Sequence, residues 1–417
     1  MIKRVKFLAL FLFIVSLSLQ AQIQSPDNFL GFPLGADRKL ANYHQISEYL
    51  SLLAKNSPRI EVFNLGKTTD GNDMIIAVIS SKKNIRNLGN IKKQNYQLAH
   101  PELLTQQQAE NLIQNGKVTA FITCNIHSTE IGASQMSMEI AYELATRNDE
   151  QAKFYLDNVV LILMPSANPD GQLMVTDWYR KWVGTEYEGG RMPWLYHRYV
   201  GHDTNRDFYM LNMKESKLIN KVMSQEWFPQ VHLDEHQMGS TGPRMFVPPY
   251  EDPMSPHLSP LLLRLEALYG SNMSFRLEEN GKSGVIDTWA FDSYWPGGTR
   301  TAAWKNIVSL LTELASCRVA TPIFIEENEL SGGRKGLAEY RQQINFPNPW
   351  RGGWWRLRDI IDYEIIATYA FLETSAKYRE GILRGFYQMN LRGIEKGKTE
   401  APYAFIITAN QRDPITA

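Results

Sequence analysis

Short, densely apolar runs separated by stretches of helical spacing constrain this chain more than any other feature. Val118–Cys124 and Val159–Met164 are apolar almost throughout, 307–314 repeats that texture, and 231–235 also reads as a strand. Runs of this length, rich in Val, Ile and Leu and bounded by turn residues, read as strands buried on both faces. Between them, 131–145, 214–223 and 258–279 read as helices. The alternation predicts an α/β fold: a mixed, mostly parallel twisted sheet with helices on both faces. Upstream, 43–53 places Ile46, Tyr49, Leu50 and Leu53 on one helical face. The segments 60–65 and 74–79 read as strands joined by Thr69-Asp70-Gly71-Asn72. The polar stretch from 82 to 115 reads as an insertion.

The texture changes after residue 327. Loops rich in Gly, Pro and Trp come first, then 356–384 reads as one long helix. An apolar strand follows Pro402. The expected organisation is a catalytic unit over 22–330, followed over 331–417 by Trp/Gly-rich loops, the long helix and the start of a further C-terminal domain.

Composition narrows the function. Lys+Arg and Asp+Glu balance at 44 each, so no basic footprint for nucleic acid exists. Two cysteines, Cys124 and Cys317, are too few for a disulfide framework or a thiolate zinc knuckle. A metal in this chain would therefore be held by His and carboxylates. The chain starts with Met-Ile-Lys-Arg-Val-Lys, is apolar from Phe7 to Leu19, and has a small residue at Ala21. That pattern predicts a signal peptide over 1–21 and a secreted or periplasmic product. The apolar run is shorter than the ~20 residues a spanning helix needs, and no stable membrane span is expected after the leader is removed.

Eight histidines are available. His127-Ser-Thr-Glu130 follows directly on a buried strand, where open α/β sheets bind ligands. An HxxE pair by itself is more often a surface turn or a helix N-terminus. A catalytic zinc takes three protein ligands and leaves a position for water. The third would come from Val231-His-Leu-Asp-Glu-His236. Strand parity puts His232, Asp234 and His236 on one face, so parity does not choose between the histidines. Position favours His236, at the strand's carboxyl end.

These motifs occur in order with Asn168-Pro-Asp-Gly171, Asp203-Thr-Asn205-Arg206 and Leu311-Thr-Glu313. Together they resemble the zinc carboxypeptidase family of the funnelin type, over roughly 40–325, as a divergent secreted bacterial branch. The resemblance implies one Zn2+ per chain on His127, Glu130 and His236. It implies Glu313 as general base, and Arg180 as the donor that steadies the oxyanion, with Lys181 and Arg191 as alternatives. Asn205 and Arg206 would grip a substrate's terminal carboxylate, Tyr294 would be a mobile pocket tyrosine, and Asp203 would brace His127 from behind. The implied activity is a metallocarboxypeptidase acting on a peptide or peptide-like substrate with a free carboxylate. An amidase or deacylase of the same superfold, acting on acidic or peptidoglycan-type amides, and a non-catalytic binding module are the competing expectations. Ile131 and Gln237 depart from the residues common after the corresponding Glu and His in digestive members, which leaves the substrate open.

Overall fold

The computed structural model describes residues 23–332 and 339–411. The expected leader over 1–21 lies outside the described residues. Eight strands form the main sheet: β1 (Ile60–Lys67), β2 (Asp73–Ile79), β3 (Val118–Cys124), β4 (Val159–Met164), β5 (Val231–Met238), β6 (Met245–Phe246), β7 (Val285–Ile286) and β8 (Val308–Ala315). Their order is β1-β2-β4-β3-β5-β8-β6-β7. The central neighbours β4, β3, β5 and β8 run parallel, whereas β1, β2 and β6 pair antiparallel toward the edges. β9 (Ile323–Ile325) and β10 (Gly353–Trp355) form a separate ribbon. Every residue of β3, β4 and β8 is buried, as parallel strands covered on both sides require. The mixed α/β sheet expected from the sequence is what the chain folds into.

Each face is covered. Thr119 and Thr123 of β3 point to one side, where Asn95 of the helix Leu88–Ala99 donates to the Thr119 hydroxyl. Cys124 and Glu235 point to the other, where Thr368 of the helix Leu357–Lys377 donates to Glu235. That helix shares one core with the sheet: Ile360, Ile361, Ala367 and Phe371 are buried among residues of β2, β3 and β4. The Trp-rich loops are tied to the sheet by Trp355, whose indole donates to the Ala315 carbonyl at the end of β8.

Several local expectations change. Residues 82–115 are not a polar excursion; they form the helices Lys82–Ile85, Leu88–Ala99 and Gln106–Asn115. These are amphipathic, burying Ile91, Leu98 and Ile113 and leaving polar faces outside. The expected single helix over 356–384 is two, Leu357–Lys377 and Arg379–Thr399, broken where Tyr378 leaves helical geometry. Among the described residues the segment after Pro402 forms no strand, and Phe405, Ile406 and Ile407 lie exposed. Both cysteines are buried and free. Among the described residues no helix is long and apolar enough to cross a membrane.

Candidate active site

The site lies at the carboxyl ends of β3 and β5. Directly after β3, Asn125 takes a left-handed conformation (φ 55°), which Asn tolerates better than most side chains. Its amide then donates to the carbonyls of His127, Ser128 and Glu130 at 3.0, 3.2 and 3.2 Å. The Ser166 hydroxyl fixes that amide by donating to Asn125 Oδ1. The turn carrying His127 and Glu130 is thus tied from inside and does not depend on the surface.

His127 and His236 both present Nδ1 to Glu130. The distances are 2.8 Å from His127 to Oε1 and 3.0 Å from His236 to Oε2, and the two Nδ1 atoms are 3.3 Å apart. The far nitrogens are each bound to a carboxylate: His127 Nε2 to Asp203 at 3.0 Å, His236 Nε2 to Asp234 at 2.9 Å. A carboxylate on the second nitrogen fixes the tautomer and leaves Nδ1 as the ligand atom. Zinc–ligand bonds of 2.0–2.1 Å at tetrahedral angles imply ligand atoms about 3.3 Å apart. Among the described residues, His127, Glu130 and His236 form the one group whose donor atoms all lie within 4.8 Å of one another. Three carboxylates around two imidazoles also leave negative charge that a divalent cation would balance. The residues present fit a zinc ion.

Within the cluster the imidazoles and carboxylates hold one another charged. Burial pushes the His127 imidazole down, but Glu130 and Asp203 outweigh it and hold it up at about 9. Burial likewise opposes charge on His236, and Asp234 and Glu130 lift it well above the ordinary value. Against burial, the two imidazoles hold Glu130 at about 2, and His127 with the Asn205 amide hold Asp203 at about 2. At these two histidines the surrounding carboxylates outweigh burial, whereas burial holds His232, deeper on the same strand face, down at about 4.

The other expected residues divide. Asp203 lies behind His127 and also accepts from Asn205 N at 2.7 Å. Asn205 is buried; its amide nitrogen is 3.1 Å from His236 Nε2 and its oxygen accepts from Gly298 N at 2.6 Å. Arg206 is half-buried, donates to the Asn205 carbonyl and stacks its guanidinium on Trp295. Glu313, on β8, pairs in register with His236 on β5, so both side chains project from one face. It is 8% exposed.

Arg180 is the correction. It lies on the helix Pro169–Trp182, whose first turn abuts the His127 loop through Asn168. Arg180 is three turns further on, about 16 Å at 1.5 Å per residue. Its guanidinium is spent on the Leu40 carbonyl and Gln45. The alternatives are elsewhere too: Lys181 lies over the Trp178 and Trp182 rings, and Arg191 lines a cavity with those tryptophans. Tyr294 is 56% exposed, and only its backbone is held, by Asp292.

Three contributors were not singled out from sequence. Asp234 braces His236; its signal was present, since i and i+2 share a strand face. Gln237 holds Glu130 through its backbone N–H and caps the helix Gly132–Thr146 through its side chain. Tyr196 stacks on His127 with ring centroids 4.3 Å apart. No spacing announces it, because its loop has no period.

An α/β sheet carrying two carboxylate-braced histidines and a glutamate at its strand ends defines a metallohydrolase of the zinc-peptidase class. The sequence model of the zinc carboxypeptidase family, Peptidase M14, matches residues 46–240. That stretch, a little under half of the chain, includes His127, Glu130, Asp203, Asn205, Arg206 and His236, so the chain carries a zinc carboxypeptidase domain with a His-Glu-His group able to hold a metal ion. No curated protein matches the chain. Among solved structures, a metallo-carboxypeptidase from Burkholderia cenocepacia is 12% identical with a TM-score of 0.51, covering 81% of this chain and 70% of that one. Bovine thrombin-activatable fibrinolysis inhibitor, in complex with tick carboxypeptidase inhibitor, is 12% identical with a TM-score of 0.50, covering 82% of this chain and 98% of that one. At such identities the likeness speaks to the fold alone.

Proposed function

We propose that the chain is a zinc-dependent carboxypeptidase, holding one ion on His127, Glu130 and His236 and using Glu313 as general base. The observation that carries this reading is the register of β5 and β8, which sets Glu313 beside His236 on one face. Zinc bound there would supply a Lewis acid that lowers the pKa of water and polarises a carbonyl. Glu313 accepts the proton of the attacking water and returns it to the leaving amine. Arg206, stiffened by Trp295 and the Asn205 carbonyl, offers its remaining N–H groups to the substrate's terminal carboxylate, a match that Lys would not reproduce. Asn205 acts through His236 and Gly298 in this reading, as a bridge more than as a direct grip. Tyr294, on its exposed loop, remains the candidate for closing over a bound peptide. The basic and apolar N-terminal residues support export to the periplasm or beyond.

The test is product analysis on peptides with free and amidated C-termini, with and without chelator. Release of single C-terminal residues from the free form alone, abolished by chelation, is expected. Equal cleavage of the amidated form would reject the role of Arg206 and favour an amidase.

A further inference from the structure

The Asn168-Pro169-Asp170-Gly171 turn has no evident chemical task, yet it is built around one residue of the site. Asn168 caps the helix Pro169–Trp182 by accepting from Gly171 N at 3.0 Å. Its amide nitrogen donates to two carbonyls, Ile126 and Tyr196, each at 3.1 Å. Ile126 immediately precedes His127, so one amide ties the zinc-ligand loop to the loop bearing Tyr196. Gly171 is required for the same closure: a Cβ there would come within 2.2 Å of the Tyr196 carbonyl oxygen. Further along the loop, Tyr199 donates to Glu215 at 3.2 Å, pinning the chain on the other side.

The ring so positioned lies on the His127 imidazole at 24° between planes. The phenol is half-buried and has no hydrogen-bond partner among the described residues. It lies within electrostatic reach of Glu130, Asp203, Glu313 and Arg206, which surround the expected path of the substrate. Cross-bracing this strict for an aromatic ring, with its hydroxyl left unused, is more than packing needs. Arg180, the cation expected to steady the oxyanion, is committed three turns away.

We propose that Tyr196 is a catalytic residue whose hydroxyl donates a hydrogen bond to the carbonyl oxygen under attack, with Asn168 and Gly171 as the positioning residues that seat it. This rests on the peptidase reading above. As water adds to the carbonyl carbon, the carbonyl π pair moves onto oxygen, and a fixed donor is worth most where that charge develops. The phenol keeps its proton throughout; only the hydrogen bond strengthens.

The experiment compares wild-type, Y196F and Y196A chains for zinc affinity, hydrolysis of a blocked dipeptide with a free C-terminus, and binding of the corresponding phosphonate dipeptide. In Y196F the ring still covers His127, so zinc affinity is expected within about 2-fold of wild type. Its kcat is expected to fall about 100-fold with little change in KM, and phosphonate affinity to fall in step. Y196A is expected to lose zinc affinity as well. Wild-type kcat and phosphonate affinity in Y196F would overturn the proposal. So would a loss of zinc affinity in Y196F as large as the loss of rate, because the hydroxyl would then serve the metal and not the substrate. If the wild-type chain cleaves no dipeptide, the carboxypeptidase reading fails separately, and the phosphonate comparison alone decides the role of Tyr196.

Discussion

The two faces of β5 are equally buried and electrostatically opposite. On one, Asp234 and His236 sit among imidazoles and carboxylates that satisfy each other. On the other, Glu235 faces Glu364 of the helix Leu357–Lys377, another acid, and accepts hydrogen bonds from Cys124 and Thr368. Glu364 has no hydrogen-bond partner for either oxygen among the described residues. The result is opposite protonation one residue apart. Burial raises Asp234 too, but His236 and His232 overcome it and hold it below the ordinary carboxylate range. Burial, with a smaller push from Asp234, raises Glu235 to about 8, and burial with Glu235 as a like neighbour raises Glu364 well above its usual value. Depth in the core therefore does not decide whether a carboxyl is charged; its nearest neighbour does.

The largest way to break this comparison is to empty the charged face. H236A is expected to lose stoichiometric zinc and to lower hydrolysis on the order of 1000-fold or more, read by metal analysis of dialysed protein and by rate. Retention of one zinc per chain would reject His236 as a ligand. Next comes a matched pair of neutralisations. D234N is expected to weaken zinc binding about 10–100-fold, because the brace on Nε2 is lost. E235Q, one residue away, is expected to leave zinc affinity within a few-fold. Equal losses would mean that the two faces are not independent.

A third measurement sharpens the neutral face. Raised carboxyl pKa values mean that the folded chain keeps protons which the unfolded chain releases above about 4.3. Wild-type stability from this pair is thus fully present at low pH and falls as pH climbs from there toward about 8. The slope for one proton is at most ~1.4 kcal/mol per pH unit. E364Q removes one acid and is expected to gain on wild type between pH 5 and pH 8 in urea melts. Parallel pH curves for the two chains would show the pair to be ionised in the fold. The smallest effect belongs to Q237A. The helix Gly132–Thr146 has no side-chain cap of its own, and Gln237 Oε1 accepts from Gly132 N instead. Its loss is expected to cost about 1 kcal/mol in thermal or urea unfolding, with the zinc ligands still in place.

How much of this was legible in the sequence follows from the same contrast. Val118–Cys124 and Val159–Met164 announced themselves because a strand buried on both faces has no choice but to be apolar throughout. His127, Glu130 and His236 were legible as polar residues at the ends of such strands, where packing gives them no reason to be. The helices over 82–115 were missed because most of their surface is solvated, and only Leu88, Ile91, Leu98 and a few others mark the inner face. The break at Tyr378 was missed because nothing like Gly or Pro punctuates it. Tyr196 and the misplacement of Arg180 share a cause. Loop closure by Asn168 and the direction of the helix Pro169–Trp182 are set by contacts far apart in the chain.

One consequence follows from the pairing of β5 with β8. Strands in a parallel ladder are held about 4.8 Å apart by main-chain hydrogen bonds. The imidazole of the candidate metal site and the proposed proton acceptor are direct partners across that ladder, so their spacing is inherited from the backbone and owes nothing to the loops above. Sequence drift in the exposed loop bearing Tyr294, next to Trp295 and Arg206, can therefore retune what is admitted while the reacting centre stays in place.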